Sequence, residues 1–162
     1  MRLATPLIVC CLAVLLVAAP AQGAATRAEY VAQVDPICQA AAPELKRSLA
    51  AVREPSPARI EQLDPKEGLK RVARSFGKAL GRTNKVLTAM TTRIATVPAA
   101  PGDELTVADW ILNQRSAEDL LGRAARAGKR GKFFRMFPLL QGYEGAVAAL
   151  RASVRGFGFR HC

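Results

Sequence analysis

One stretch constrains the fold more than any other. From Leu69 to Val97 an apolar or small side chain recurs at steps of four and three: Leu69, Ala73, Phe76, Leu80, Thr83, Leu87, Met90, Ile94 and Val97. That rhythm belongs to a helix that buries one narrow seam against neighbouring helices. Asp64-Pro65-Lys66-Glu67 precedes it and reads as a start signal, with Asp64 as cap, Pro65 in the first position and Glu67 closing a capping box. The spacing predicts a helix from Pro65 to about Val97, roughly 50 Å long. Gly77 and Gly81 lie inside it, and each weakens a helix by about 1 kcal/mol relative to alanine. They predict a close helix crossing or a bend.

Three further helical segments surround this spine. In the first, Thr26 to Arg53, Tyr30, Val34, Ile37, Cys38, Ala41, Leu45, Leu49 and Val52 share a face. Asp35-Pro36 offers an alternative start within it, whereas the periodicity before it argues for a helix from Arg27 that kinks at Pro36 and bends again at Pro43. Glu54 to Pro57 is a break, and Ser56-Pro57 can open one short turn through Leu63. After the loop Pro98 to Gly102, Asp103 is expected to cap a third helix running to about Ala127. Its expected buried stripe is Leu105, Ala108, Leu112, Leu120, Leu121 and Ala124, with Trp110 at the edge. Gly128 to Gly131 reads as a glycine-terminated turn. The fourth helix, Lys132 to about Arg155, presents Phe133, Met136, Phe137, Leu140, Val147, Leu150 and Val154 on one side, and Pro138 should kink it early.

The first residues describe compartment rather than fold. Arg2 is followed by an apolar run from Leu3 to Ala19 and by small residues around Ala21 and Gly23. This is the pattern of a secretory signal peptide, residues 1–23, leaving residues 24–162 as a single domain. An uncleaved anchor is the other reading, although the run is slightly short of the roughly 20 residues a spanning helix needs. Of four cysteines, Cys10 and Cys11 fall in the leader; Cys38 and Cys162 remain. An even pair in an exported chain is expected to be bonded. A metal or reactive-thiol site with His161 is the competing reading, but two adjacent ligands and a distant cysteine make a poor zinc site.

Four helices with short connections predict an all-α fold, an up-down-up-down four-helix bundle. The cysteine pair agrees independently. Cys38 lies roughly 17 Å along its helix, and a seven-residue tail can span up to about 23 Å. The tail can therefore return along the bundle to join helix one through a Cys38–Cys162 disulfide, with Phe157 and Phe159 covering the seam. The arrangement of Tyr30, Ile37-Cys38, Trp110 and a terminal Gly156-Phe157 ending at Cys162 resembles small exported all-helical proteins of high-GC Gram-positive bacteria. The resemblance implies export and a helical fold, and lends no activity and no functional residues.

No catalytic constellation is legible. His161 is the single histidine, and HExxH, Glu-x-x-His, CxxCH, GxSxG and phosphate-loop patterns are absent. No catalytic residue, metal ligand or cofactor is therefore assigned, and the chain reads as non-enzymatic. Charge is more informative. The formal net charge is +11, and a strongly basic exported domain is drawn to acidic partners. Lys66, Lys70, Arg74, Lys78 and Arg82 recur every four residues as one slanted band. The turn containing Lys129, Arg130 and Lys132 runs into Phe133 and Phe134, and cations mixed with rings suit a membrane interface. These eight cations are the candidate anion-binding residues; the competing reading is an ordinary solvated face. The expected partners are anionic lipid or acidic cell-wall polymer at the envelope. Specific nucleic acid is set aside, since no stacking platform is visible, and no protein partner is legible. The alternative function is a carrier of a small apolar ligand within the bundle, with Gly77, Gly81, Gly142 and the prolines supplying looseness.

Overall fold

The computed structural model describes residues 26–50 and 64–162. The expected signal peptide and the short turn through Leu63 lie outside them. The described chain forms four helices packed as a bundle, α1 (Arg27–Ala50), α2 (Pro65–Ile94), α3 (Glu104–Lys129) and α4 (Phe133–Ser153), with no strand among the described residues. α2 against α3 and α3 against α4 are the extensive pairings, and α1 lies along α2. The bundle is therefore open along the edge between α1 and α4.

The helix boundaries follow from local chemistry. Asp64 caps α2 by accepting the N–H groups of Lys66 and Glu67 at 2.8 and 3.3 Å, with Pro65 in the first turn. The capping box is not closed as expected: the Glu67 carboxylate turns outward to Lys70 Nζ at 2.5 Å. α3 ends at Lys129, two residues past the expected Ala127. The Gly131 and Lys132 N–H groups donate to the Gly128 and Ala127 carbonyls at 2.7 and 3.0 Å, and Gly131 takes φ +71°. This pairing satisfies the last carbonyls of the helix and needs a left-handed residue at Gly131. α1 runs unbroken through both Pro36 and Pro43, so Asp35-Pro36 is not a helix start.

Two apolar clusters fill the bundle. One joins Tyr30, Val34, Cys38, Ile94, Val107, Trp110 and Phe157, drawing on all four helices and the tail with Leu150 and Val154 at its margin. The other joins Ala73, Leu80, Leu121, Ala124, Ala125 and Met136 and draws only on α2, α3 and α4. The buried residues of α3 are Val107, Trp110, Gln114, Ala117, Glu118, Leu121, Gly122, Ala124, Ala125 and Gly128. Leu121 and Ala124 lie on the buried side as expected, whereas in the first half of the helix the stripe is two residues out of phase with the expected Leu105, Ala108 and Leu112. Leu105 and Leu112 are 83% and 62% exposed, and Trp110 is central rather than peripheral. The polar residues Gln114 and Glu118 within the true stripe disguised it. Glu118 is buried because Thr88 Oγ1 donates to it at 2.9 Å and Thr91 Oγ1 donates to its other oxygen, which satisfies a carboxylate that would otherwise be costly to bury. On α4 only Met136 is fully buried, and Phe137, expected on the core face, is 52% exposed.

Gly77 and Gly128 mark a close helix crossing. A Cβ on Gly77 would lie 2.3 Å from the Lys129 nitrogen and 2.5 Å from the Gly128 carbonyl carbon. A Cβ on Gly128 would lie 2.7 Å from Gly77 Cα and 2.8 Å from both the Ala73 oxygen and Met136 Sδ. Backbone meets backbone here, and no side-chain rotation can make room. Gly128→Ala should therefore destabilise the fold by about 1–3 kcal/mol, the usual cost of overpacking. Gly145→Ala meets nothing within 4 Å and should stabilise α4 by about 0.5–1 kcal/mol. Urea unfolding of the two variants checks both signs.

Candidate functional site

The C-terminal tail is the most elaborately held segment. Gly156 and Gly158 take φ +84° and +97°, a conformation open to glycine at little cost. These turns put Phe157 and Phe159 on one side of the tail. Their rings stack at 5.3 Å; Phe159 stacks on Trp110 at 5.0 Å, and Tyr30 meets both phenylalanines edge-on. The buried Asp35 carboxylate then accepts the Arg160 N–H at 2.9 Å and the His161 N–H at 3.1 Å. Cys38 and Cys162 are bonded, with Cα atoms 5.4 Å apart. The Tyr30 hydroxyl is buried with no hydrogen-bond partner among the described residues, and burial pushes its pKa up to about 12.

A charged clasp closes the same end. Arg27 reaches Asp103 through Nε at 2.8 Å and Nη2 at 2.5 Å, and its guanidinium lies 4.8 Å over the Phe157 ring. This fork-like pairing ties the start of α1 to the start of α3. It also corrects the expected role of Asp103, whose side chain makes no capping bond to α3. Sequence reasoning missed both Asp35 and Arg27, because their partners lie 125 and 76 residues away and no local pattern announces them.

The opposite end carries the candidate anion-binding residues. Lys66, Lys70, Arg74, Lys78 and Arg82 are all exposed along α2, as are Lys129, Arg130 and Lys132 in the α3–α4 turn. The fold brings the two groups together. Gly131 sits beside Lys70 and Arg74, where a Cβ would lie 3.4 Å from Lys70 Cβ and 3.6 Å from Arg74 Nε; Lys129 Nζ lies over Gly81. Lys70 pairs with Glu67, while among the described residues the other seven cations have no carboxylate within ion-pair distance. Phe134, 80% exposed, and Phe137 lie just beyond the turn on α4.

Two of the concavities lie along α1. A groove of about 530 Å³ runs between α1 and α2, lined by the half-buried Ile37, Ala41, Val86 and Met90 and by the exposed cations Arg47, Arg82, Lys85 and Arg93. A cleft of about 260 Å³ lies between α1 and α4, with Trp110 and Gln114 of α3 at its base. Among the described residues, no three His, Cys, Asp or Glu side chains converge as a metal site requires, and no helix is long and apolar enough to cross a membrane. No family model matches the chain, and no curated protein or solved structure matches it.

The Arg27–Asp103 clasp makes stability depend on pH. Hydrogen bonding to Arg27 holds the Asp103 carboxyl below its ordinary value of 3.8. A carboxylate with a lowered folded pKa contributes stability that is complete above the ordinary value and lost as pH falls through the folded one. Asp103→Asn should therefore lower the melting temperature at neutral pH, with the gap to the unaltered protein closing as pH falls below the ordinary carboxyl value and through the lowered folded one. Thermal unfolding across that range checks the direction.

Proposed function

We propose that this chain is an exported, non-enzymatic helical protein that associates with acidic surfaces of the cell envelope through its basic end. The observation that carries the reading is the juxtaposition of the α2 band with the α3–α4 turn. Two cation clusters far apart in sequence share one face, and one carboxylate, Glu67, pairs within it. Such a face generates a field that concentrates anionic partners. The adjacent Phe134 and Phe137 rings add apolar contact at the level where head groups meet acyl chains. The leader-like residues 1–23 and the Cys38–Cys162 disulfide support an extracytoplasmic setting.

The test is binding of the oxidised protein to vesicles of phosphatidylcholine with and without phosphatidylglycerol, at low and physiological salt. Binding should require the anionic lipid and persist at physiological salt. Replacing Lys70, Arg74, Lys78 and Arg82 with glutamine together should weaken it about a hundredfold or more, since each cation near an anionic membrane contributes about 1 kcal/mol. Equal binding to neutral vesicles, or unchanged binding of the quadruple variant, would contradict the reading.

A further inference from the structure

The cleft between α1 and α4 has the construction of a small-molecule site. Its base is Trp110 and Gln114 of α3, with Leu87 and Met90 of α2 beside them. Leu45 forms the α1 wall, and Val147 and Leu150 form the α4 wall. The disulfide-tied tail adds His161 and Cys162 to the lining, and Arg151 of α4 joins them there. The volume, about 260 Å³, can be set against the cavity of about 150 Å³ that accommodates benzene in an engineered protein.

We propose that this cleft binds a small amphiphile with an apolar body and a carboxylate-type head. Three observations carry the inference. First, α4 is rich in apolar side chains yet buries only Met136 fully; Tyr143, Val147 and Leu150 face the cleft only half-buried. An apolar body would cover them. Second, the polar groups among the mostly apolar lining are separated from one another, Gln114 at the base and Arg151 and His161 at the rim, as orienting groups are in ligand sites. Arg151 is exposed at the rim with no carboxylate within ion-pair distance among the described residues, so an anionic head is matched there. Third, Gln114 is 8% exposed and its amide enters no hydrogen bond among the described residues, leaving it able to meet a ligand oxygen from below. The site is formed by residues other than the eight cations of the basic face and stands independently of the surface reading.

Trp110 is the only tryptophan in the chain, which makes its emission a reporter of the cleft. Octanoate and uncharged 1-octanol serve as probes, titrated into the oxidised protein. Both should shift Trp110 emission saturably below about 1 mM. Ala42→Phe and Val147→Phe, which fill the cleft from its two walls, should each abolish the response while the melting transition stays cooperative. Having two such variants covers the failure of either to fold. Arg151→Gln should weaken octanoate about tenfold and leave 1-octanol unchanged. Absence of a saturable response to either probe, or wild-type binding by a folded wall variant, would overturn the site. Unchanged octanoate affinity in Arg151→Gln would overturn the assignment of the anionic head.

Discussion

The structure depends on how its last residues are fastened to its first helix. Asp35 and Cys38 are one turn apart on α1, and each takes hold of the tail: one by hydrogen bonds to the Arg160 and His161 N–H groups, the other by a covalent bond to Cys162. The two attachments cover each other's weakness. A disulfide limits the distance between chain segments but leaves the path between them loose; a buried carboxylate receiving two backbone N–H groups fixes that path. The long loop closed by the bond removes conformational freedom from the unfolded chain, on the order of 4–5 kcal/mol in the chain-entropy description. Between Gly156 and Arg160 the phenylalanines become part of the core, so the tail supplies packing as well as closure.

This fastening matters because α1 takes part in only one of the two apolar clusters. The cluster around Leu80, Leu121 and Met136 includes nothing from α1. There α2, α3 and α4 converge on the Gly77–Gly128 contact, where the absence of side chains brings two backbones together beneath Met136. Toward that end α1 is joined to α2 by the Ser48 and Thr83 hydroxyls, 2.7 Å apart. The molecule is thus a three-helix core with a fourth helix laid along α2 and secured at the opposite end by the tail and the Arg27–Asp103 clasp. The cleft is a consequence of that layout. It lies along the edge where α1 and α4 do not pack closely, and the tail bridges one end of it.

The sequence revealed most where one helix carries one uninterrupted pattern. The seam of α2 was legible because apolar or small residues fill every position from Ala73 to Ile94, and Asp64-Pro65 marks its start without ambiguity. The disulfide was legible because two cysteines and a returning tail admit a simple solution. The second half of the α3 stripe was legible in Leu121 and Ala124, but the first half was not, since its register includes Gln114, while Leu105 and Leu112 offer a more conspicuous pattern that ends up in solvent. Asp103 has the form of a helix cap, but a guanidinium 76 residues earlier is the stronger partner for its carboxylate. The basic residues were legible one by one; their union into a single face was not, because the α2–α3 crossing that unites them rests on two glycines whose pairing has no signature in one dimension.

Hydrogen exchange resolved by helix, with the Cys38–Cys162 bond intact and then reduced, tests the central claim that the tail secures α1 to an otherwise self-sufficient core. Local opening reports on the contacts holding each segment. The account predicts that reduction accelerates exchange in α1 and the tail while α2, α3 and α4 keep most of their protection. Unchanged protection in α1, or an equal loss in all four helices, would contradict it.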